Sequence, residues 1–161
     1  MEEMPNTLDF GAMSDGHLLR LRAELHAELK KRGIARSVGQ MAEHHAIRYY
    51  NKTPGRPNLL AAPVGTANVD ALSRRGERYS IKGVVDAKKT GTVYSDGADP
   101  DKQLFEYLIV VKMRQDWSLD SIYEFTWRQF LDCRSWDKRM NAWYLGLSVK
   151  TLATAERFLP L

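Results

Sequence analysis

Apolar residues recur at helical spacing twice near the start of the chain. Leu18, Leu21, Leu25 and Leu29 follow Ser14 and Asp15, whose side-chain oxygens suit an N-cap, and this predicts a helix to about Arg32. Gly33 ends it, with Lys30, Lys31 and Arg32 where cations favour the helix dipole. Val38, Met41, Ala42, His45 and Tyr49 mark the apolar stripe of a second helix, capped by Ser37 and running to about Tyr50. Gln40, His44 and Arg48 form its solvent face. The residues before Ser14 read as a loose terminus, 1–13, followed by a single domain, 14–161.

The period then changes. Residues 51–66 hold Pro54, Gly55, Pro57, Pro63 and Gly65, which break both periodicities and predict a long loop. Two short runs, 68–72 and 78–85, are strand-like and are joined by Ser73-Arg74-Arg75-Gly76, so they predict a β-hairpin. A Gly- and Asp-rich stretch, 88–101, leads to 105–112, whose Tyr107-Leu108-Ile109-Val110-Val111 suits a central strand buried on both faces. A further strand over 121–125 and a short helix from Trp127 to Leu131 follow. Residues 136–147 are aromatic and irregular, and a closing helix over 148–158 ends before Pro160. The order predicts an α/β (α+β) domain, a mixed central sheet flanked by helices.

Composition narrows the class. At 161 residues, 43% of them hydrophobic, the chain can bury one core. Glu2 and Glu3 stand where a secretory leader would be basic, and no apolar run approaches the roughly 20 residues that span a bilayer, so a cytoplasmic protein with no membrane partner is expected. Cys133 is the only cysteine, which excludes an intrachain disulfide framework and a cysteine zinc cluster. The net charge of +4 is unevenly spread. Residues 30–89 hold 13 Lys or Arg against four acids, whereas the rest holds 11 basic and 16 acidic residues. One part of the chain is a polycation, suited either to a phosphate backbone or to plain solvated surface.

Three residues oppose their surroundings. Glu43 has Gly39, Ala46, Ile47 and Tyr50 as helical neighbours, so its carboxylate sits on a mostly apolar shoulder and needs a partner. Gly39 would let that part of the helix approach another element closely. Asp70 lies in a predicted strand, where aspartate is disfavoured, and Lys82 shares a face of the next strand with Ser80. A hairpin across Gly76 lets Asp70 and Lys82 approach, either as a site or as a structural cross-strand ion pair.

Gly39-Gln40-Met41-Ala42-Glu43, Asn68-Val69-Asp70-Ala71, Gly76-Glu77-Arg78-Tyr79-Ser80-Ile81-Lys82 and the later Asn141-Ala142-Trp143 occur in an order that resembles the PD-(D/E)XK, or restriction-endonuclease-like, superfamily, in a bacterial branch of it. The likeness covers about residues 37–147. It implies a restriction-endonuclease-like fold and Mg²⁺-dependent hydrolysis of DNA phosphodiester bonds, with Mn²⁺ as a substitute and a homodimer cutting two strands. By resemblance Asp70, Glu43 and the Ile81 backbone carbonyl would hold the metal, and Lys82 would orient water or stabilise developing charge. The acid that usually precedes the lysine by two is Ser80 here, able at best to hydrogen-bond a bound water. Glu43 would replace it, with Asp86 as the other candidate; Glu77 has the opposite parity. If neither does, the chain is an inactive relative that binds nucleic acid or a partner protein. Lys52, Arg56, Arg74, Arg75, Lys88, Lys89 and Thr90 are the candidate phosphate contacts.

Overall fold

The computed structural model describes residues 7–159. The chain divides into two compact units, 1–36 and 37–161. The first contains a 3-10 turn, Phe10–Ala12, and helix α1, Asp15–Lys31. Ser14 caps α1 by accepting from the His17 amide at 3.2 Å, and Gly33 follows at φ +67°, both as the sequence predicts. Residues 1–6 of the expected loose terminus, and Pro160, lie outside the described residues.

The second unit is mixed α+β. Helix α2 (Val38–Lys52) is followed by β1 (Leu59–Ala61), β2 (Ala71–Ser73), β3 (Arg78–Val85), β4 (Tyr107–Met113), β5 (Leu119–Thr126), α3 (Trp127–Cys133), β6 (Arg134–Asp137), β7 (Ala142–Leu145), α4 (Val149–Leu152) and β8 (Glu156–Phe158). A six-stranded sheet has the order β1-β2-β3-β4-β5-β8, and β6 and β7 form a separate hairpin. Only β3 and β4 pair in parallel.

Strand alternation builds two cores on this sheet. Tyr79, Ile81, Ile109, Val111 and Ile122 pack on one face against Ala42, Ala46 and Tyr50 of α2. Val84, Leu108, Val110, Tyr123 and Phe125 pack on the other against Phe130 of α3 and Leu145 of β7. β4 is buried on both sides, as its unbroken apolar run predicts. The α2 stripe is centred on Ala42, Ala46 and Tyr50, one residue round from the predicted His45 and Tyr49.

Close approach of helix to sheet depends on Gly83, not Gly39. A Cβ on Gly83 would stand 2.6 Å from the Ala42 Cβ and 3.0 Å from the Val38 carbonyl, whereas one on Gly39 would meet nothing within 4 Å. The backbone of β3 therefore lies directly under the first turns of α2, one residue beyond Lys82.

Three further predictions are corrected. The loop 51–66 contains β1, which pairs with β2 between Pro57 and Pro63. The aromatic stretch 136–147 belongs to the β6–β7 hairpin, where Trp136 faces Trp143. The closing helix shrinks to one turn, α4, after which β8 joins β5 as an edge strand. The parallel β3–β4 crossover also departs from the usual helix. It is a loop, 86–106, held to β7 by Thr90 N to Leu145 O (2.9 Å) and a reciprocal pair between Val93 and Trp143 (2.7 and 2.9 Å).

Candidate functional site

Asp70 ends a ladder rather than lying inside a strand. It immediately precedes β2, its amide donates to the Tyr79 carbonyl at 2.8 Å, and its own carbonyl accepts from Ala62 at 2.9 Å. Its side chain then continues where the backbone pairing stops: Oδ2 accepts from the Ile81 amide at 2.7 Å. Because Tyr79 turns its carbonyl toward Asp70, Ile81, two residues on, turns both its N–H and C=O to that side. β2 pairs with β3 only as far as Tyr79, so the Ile81 carbonyl faces the end of the sheet occupied by Asp70.

The charge of Asp70 acts on Glu43 and on Lys82, which lie in different layers. Glu43 is half-buried on α2, the helix that covers the Tyr79, Ile81 and Gly83 face of β3. Burial raises its pKa above the ordinary carboxylate value, and the charge of Asp70 raises it further. Lys82 leaves β3 on the opposite face, where burial lowers its pKa and Asp70 partly opposes that shift. Asp70 is thus the group both others feel. No Asp70–Lys82 ion pair forms; the Lys82 Nζ donates instead to the Thr92 carbonyl at 3.0 Å. Thr92 lies in the crossover loop that Val93 ties to β7, so the aromatic hairpin positions the lysine. Nothing in the sequence marks that carbonyl; the close approach at Gly83 was likewise missed, although a glycine inside a strand is a signal that could have found it.

The remaining predicted residues divide. Ser80 is 1% exposed, beside Lys82 in the sheet's second core. Asp86 lies beyond the end of β3 at φ +50°, where Gln115 donates to its carboxylate. Glu77 accepts from the Ser73 hydroxyl in the hairpin turn at 3.0 Å. Thr90 is buried, and its hydroxyl accepts from Leu145 N (3.1 Å) and donates to Gly91 O (2.8 Å), which corrects its assignment as a phosphate contact. Arg56 is ion-paired with Glu156 and stands 4.1 Å over the Phe158 ring. Lys89 is exposed but pairs with Asp137 at 3.5 Å. Lys52, Arg74, Arg75 and Lys88 are exposed.

The donor set suits a hard divalent cation. Two carboxylates with neighbouring charge and a backbone carbonyl are oxygen ligands of the kind Mg²⁺ takes with water completing its shell. Burial first, and the Asp70 charge second, disfavour the ionised Glu43 carboxylate, and a bound divalent ion would favour it. Among the described residues no group of three or more His, Cys, Asp or Glu side chains is placed to hold a metal ion. No known family model and no curated protein matches the chain. Among the described residues no helix is long and apolar enough to cross a membrane.

Proposed function

We propose that this chain is a cytoplasmic metal-dependent endonuclease of the restriction-endonuclease-like kind, hydrolysing DNA phosphodiester bonds in restriction or defence and acting as a homodimer. The observation that carries the reading is the placement of Asp70: one carboxylate, at the point where β2 leaves β3, acts electrostatically on both Glu43 and Lys82. Glu43, Asp70 and the Ile81 carbonyl would hold Mg²⁺, or Mn²⁺ in its place. When bound, such an ion supplies Lewis-acid activation of the phosphodiester and of water.

The chain's own residues do the rest. The Ile81 amide fixes one oxygen of Asp70 and so sets the direction of the other. Thr92 holds the Lys82 amine on the far side, from which it can orient a nucleophilic water or donate to a phosphate oxygen. Its lowered pKa leaves the amine readier to exchange a proton than a surface lysine. Lys52, Arg74, Arg75 and Lys88 remain as exposed contacts for the DNA backbone.

A second reading is a nuclease-fold protein that binds without cutting, favoured by the buried hydroxyl of Ser80 where the motif carries an acid. Plasmid nicking separates the two. Nicking in Mg²⁺ that is lost with EDTA and in Asp70→Ala supports the first; DNA retardation at low salt without nicking supports the second; an Asp70→Ala protein that cuts as well as wild type refutes the proposed site.

A further inference from the structure

The β2–β3 hairpin has its turn at the end away from Asp70, and there a cleft of about 550 Å³ opens. That volume lies within the roughly 300–1,000 Å³ typical of small-ligand sites. Its lining changes character from rim to floor. Arg74 and Arg75, both exposed, stand at the rim, in a turn fixed by Gly76 at φ +82° and by the Ser73 hydroxyl, which accepts from the Arg75 and Glu77 amides. Half-buried Tyr107 forms an aromatic wall, its ring stacked on that of buried Tyr79 with centroids 5.0 Å apart. Carboxylates complete the lining. Glu124 accepts from the Tyr50 hydroxyl through Oε2 and makes no other hydrogen bond among the described residues, and Glu77 lies near enough for its charge to act on Glu124 and both tyrosines. Arg56 also borders the cleft, but its guanidinium is engaged by Glu156 and Phe158.

The rim is cationic, one wall is aromatic, and the floor carries the Glu124 carboxyl, whose pKa burial raises against the Tyr50 hydrogen bond and the Arg56 charge; this lining suits a ligand with an anionic end, a planar ring and adjacent N–H donors. Among the common nucleobases only guanine presents two neighbouring donors, N1–H and the N2 amine, on one edge. Adenine, cytosine and uracil each place an acceptor beside their donor. We propose that this cleft binds a guanine nucleotide, with the base edge at Glu124, the ring against Tyr107 and the phosphate at Arg74 and Arg75. The nucleotide is either free or part of a single strand, where bases are accessible to stacking and edge recognition. The inference does not rest on the nuclease reading, because none of Glu43, Asp70 and Lys82 lines the cleft.

Calorimetric titration of the full chain with the four nucleoside 5′-monophosphates, and with single-stranded oligonucleotides holding one guanine or none, tests it. Guanosine monophosphate, or the guanine-containing strand, is expected to bind about tenfold or more tightly than its counterparts, as a bidentate base contact commonly discriminates. Binding of the free nucleotide assigns a small-molecule ligand, and binding of the strand alone assigns a nucleic acid; both support the cleft. Glu124→Gln is expected to abolish the preference. Since that change also disturbs Tyr50, the Arg74→Ala/Arg75→Ala double variant, at exposed positions, is the second probe. It should weaken guanosine monophosphate while leaving unphosphorylated guanosine unchanged. Asp70→Ala should bind guanine as wild type does, so a failed nicking assay and a failed guanine titration remain distinct results. Equal affinity for all four nucleotides, no binding of either guanine probe by folded protein, or undiminished binding by the double-arginine variant overturns the proposal.

Discussion

Strand β3 carries two ionic groups four residues apart, and they behave in opposite ways. Arg78 is matched by Glu106 across the β3–β4 pair: Nε and Nη2 donate at 3.1 and 2.8 Å, and the Arg78 amide adds a bond to the same carboxylate at 2.5 Å. That hydrogen bonding holds the Glu106 carboxyl below its usual range and raises the Arg78 guanidinium above its own, so each stabilises the other's charge. Around Lys82 the ionic groups are not matched in this way. Glu43 is raised and Lys82 lowered, in each case first by burial, and the lysine bonds a carbonyl rather than a carboxylate. A satisfied pair is a structural feature. A buried group of charges that do not satisfy one another is where a ligand of opposite charge gains most, and such perturbed groups concentrate at functional sites.

Substitutions sharpen this contrast. The largest effect is expected from Asp70→Ala, which removes the carboxylate shared by Glu43 and Lys82; initial rates of plasmid nicking should fall about a hundredfold or more. Gly83→Ala comes next, because the new Cβ meets Ala42 and the Val38 carbonyl; urea unfolding should show a loss of about 1–3 kcal/mol. Glu106→Gln breaks the satisfied pair, and because that pair is about one-third exposed the loss should be only about 0.5–1 kcal/mol near neutral pH. Its sign with pH is fixed by a lowered native pKa: the contribution is present above the ordinary carboxylate value and is lost as pH falls through the native one. The wild type should therefore lose more stability on acidification than Glu106→Gln does.

Glu43→Gln should act in reverse. A raised native pKa means that the folded state favours the protonated acid; that contribution is present below the unfolded value and is lost as pH rises through the native one. At neutral pH the amide should therefore be slightly more stable than wild type, by about 0.5 kcal/mol in the same urea measurement, while nicking is lost. A variant less stable than wild type by a similar margin would break the contrast, since it would mean that Glu43 is satisfied by its surroundings.

Which features were legible in the sequence follows from how local their causes are. The two helices and their Ser14 and Ser37 caps, the Gly76 hairpin and the apolar β4 run are written in short-range periodicity and turn chemistry, and all are found. β1 and β8, each three residues long, are not, because both are edge strands created by pairing with β2 and β5 and carry too few residues to show a period. Lys82 stood out because it opposes the preference of its strand position, and Asp70 because the sequence placed it inside a strand that in fact begins at Ala71. Thr92 contributes only a backbone carbonyl, which no side-chain pattern reports, and Arg56 looked like a phosphate contact because its partner Glu156 lies 100 residues away.

A crystal soaked in Mn²⁺ and measured for anomalous scattering would test whether Glu43, Asp70 and the Ile81 carbonyl form one cation site. A peak within ligand distance of both carboxylates, absent from an Asp70→Asn crystal treated alike, is expected. A map with no peak there, or one whose peak persists unchanged in Asp70→Asn, would show that the acidic pair beside Lys82 does not hold a divalent ion.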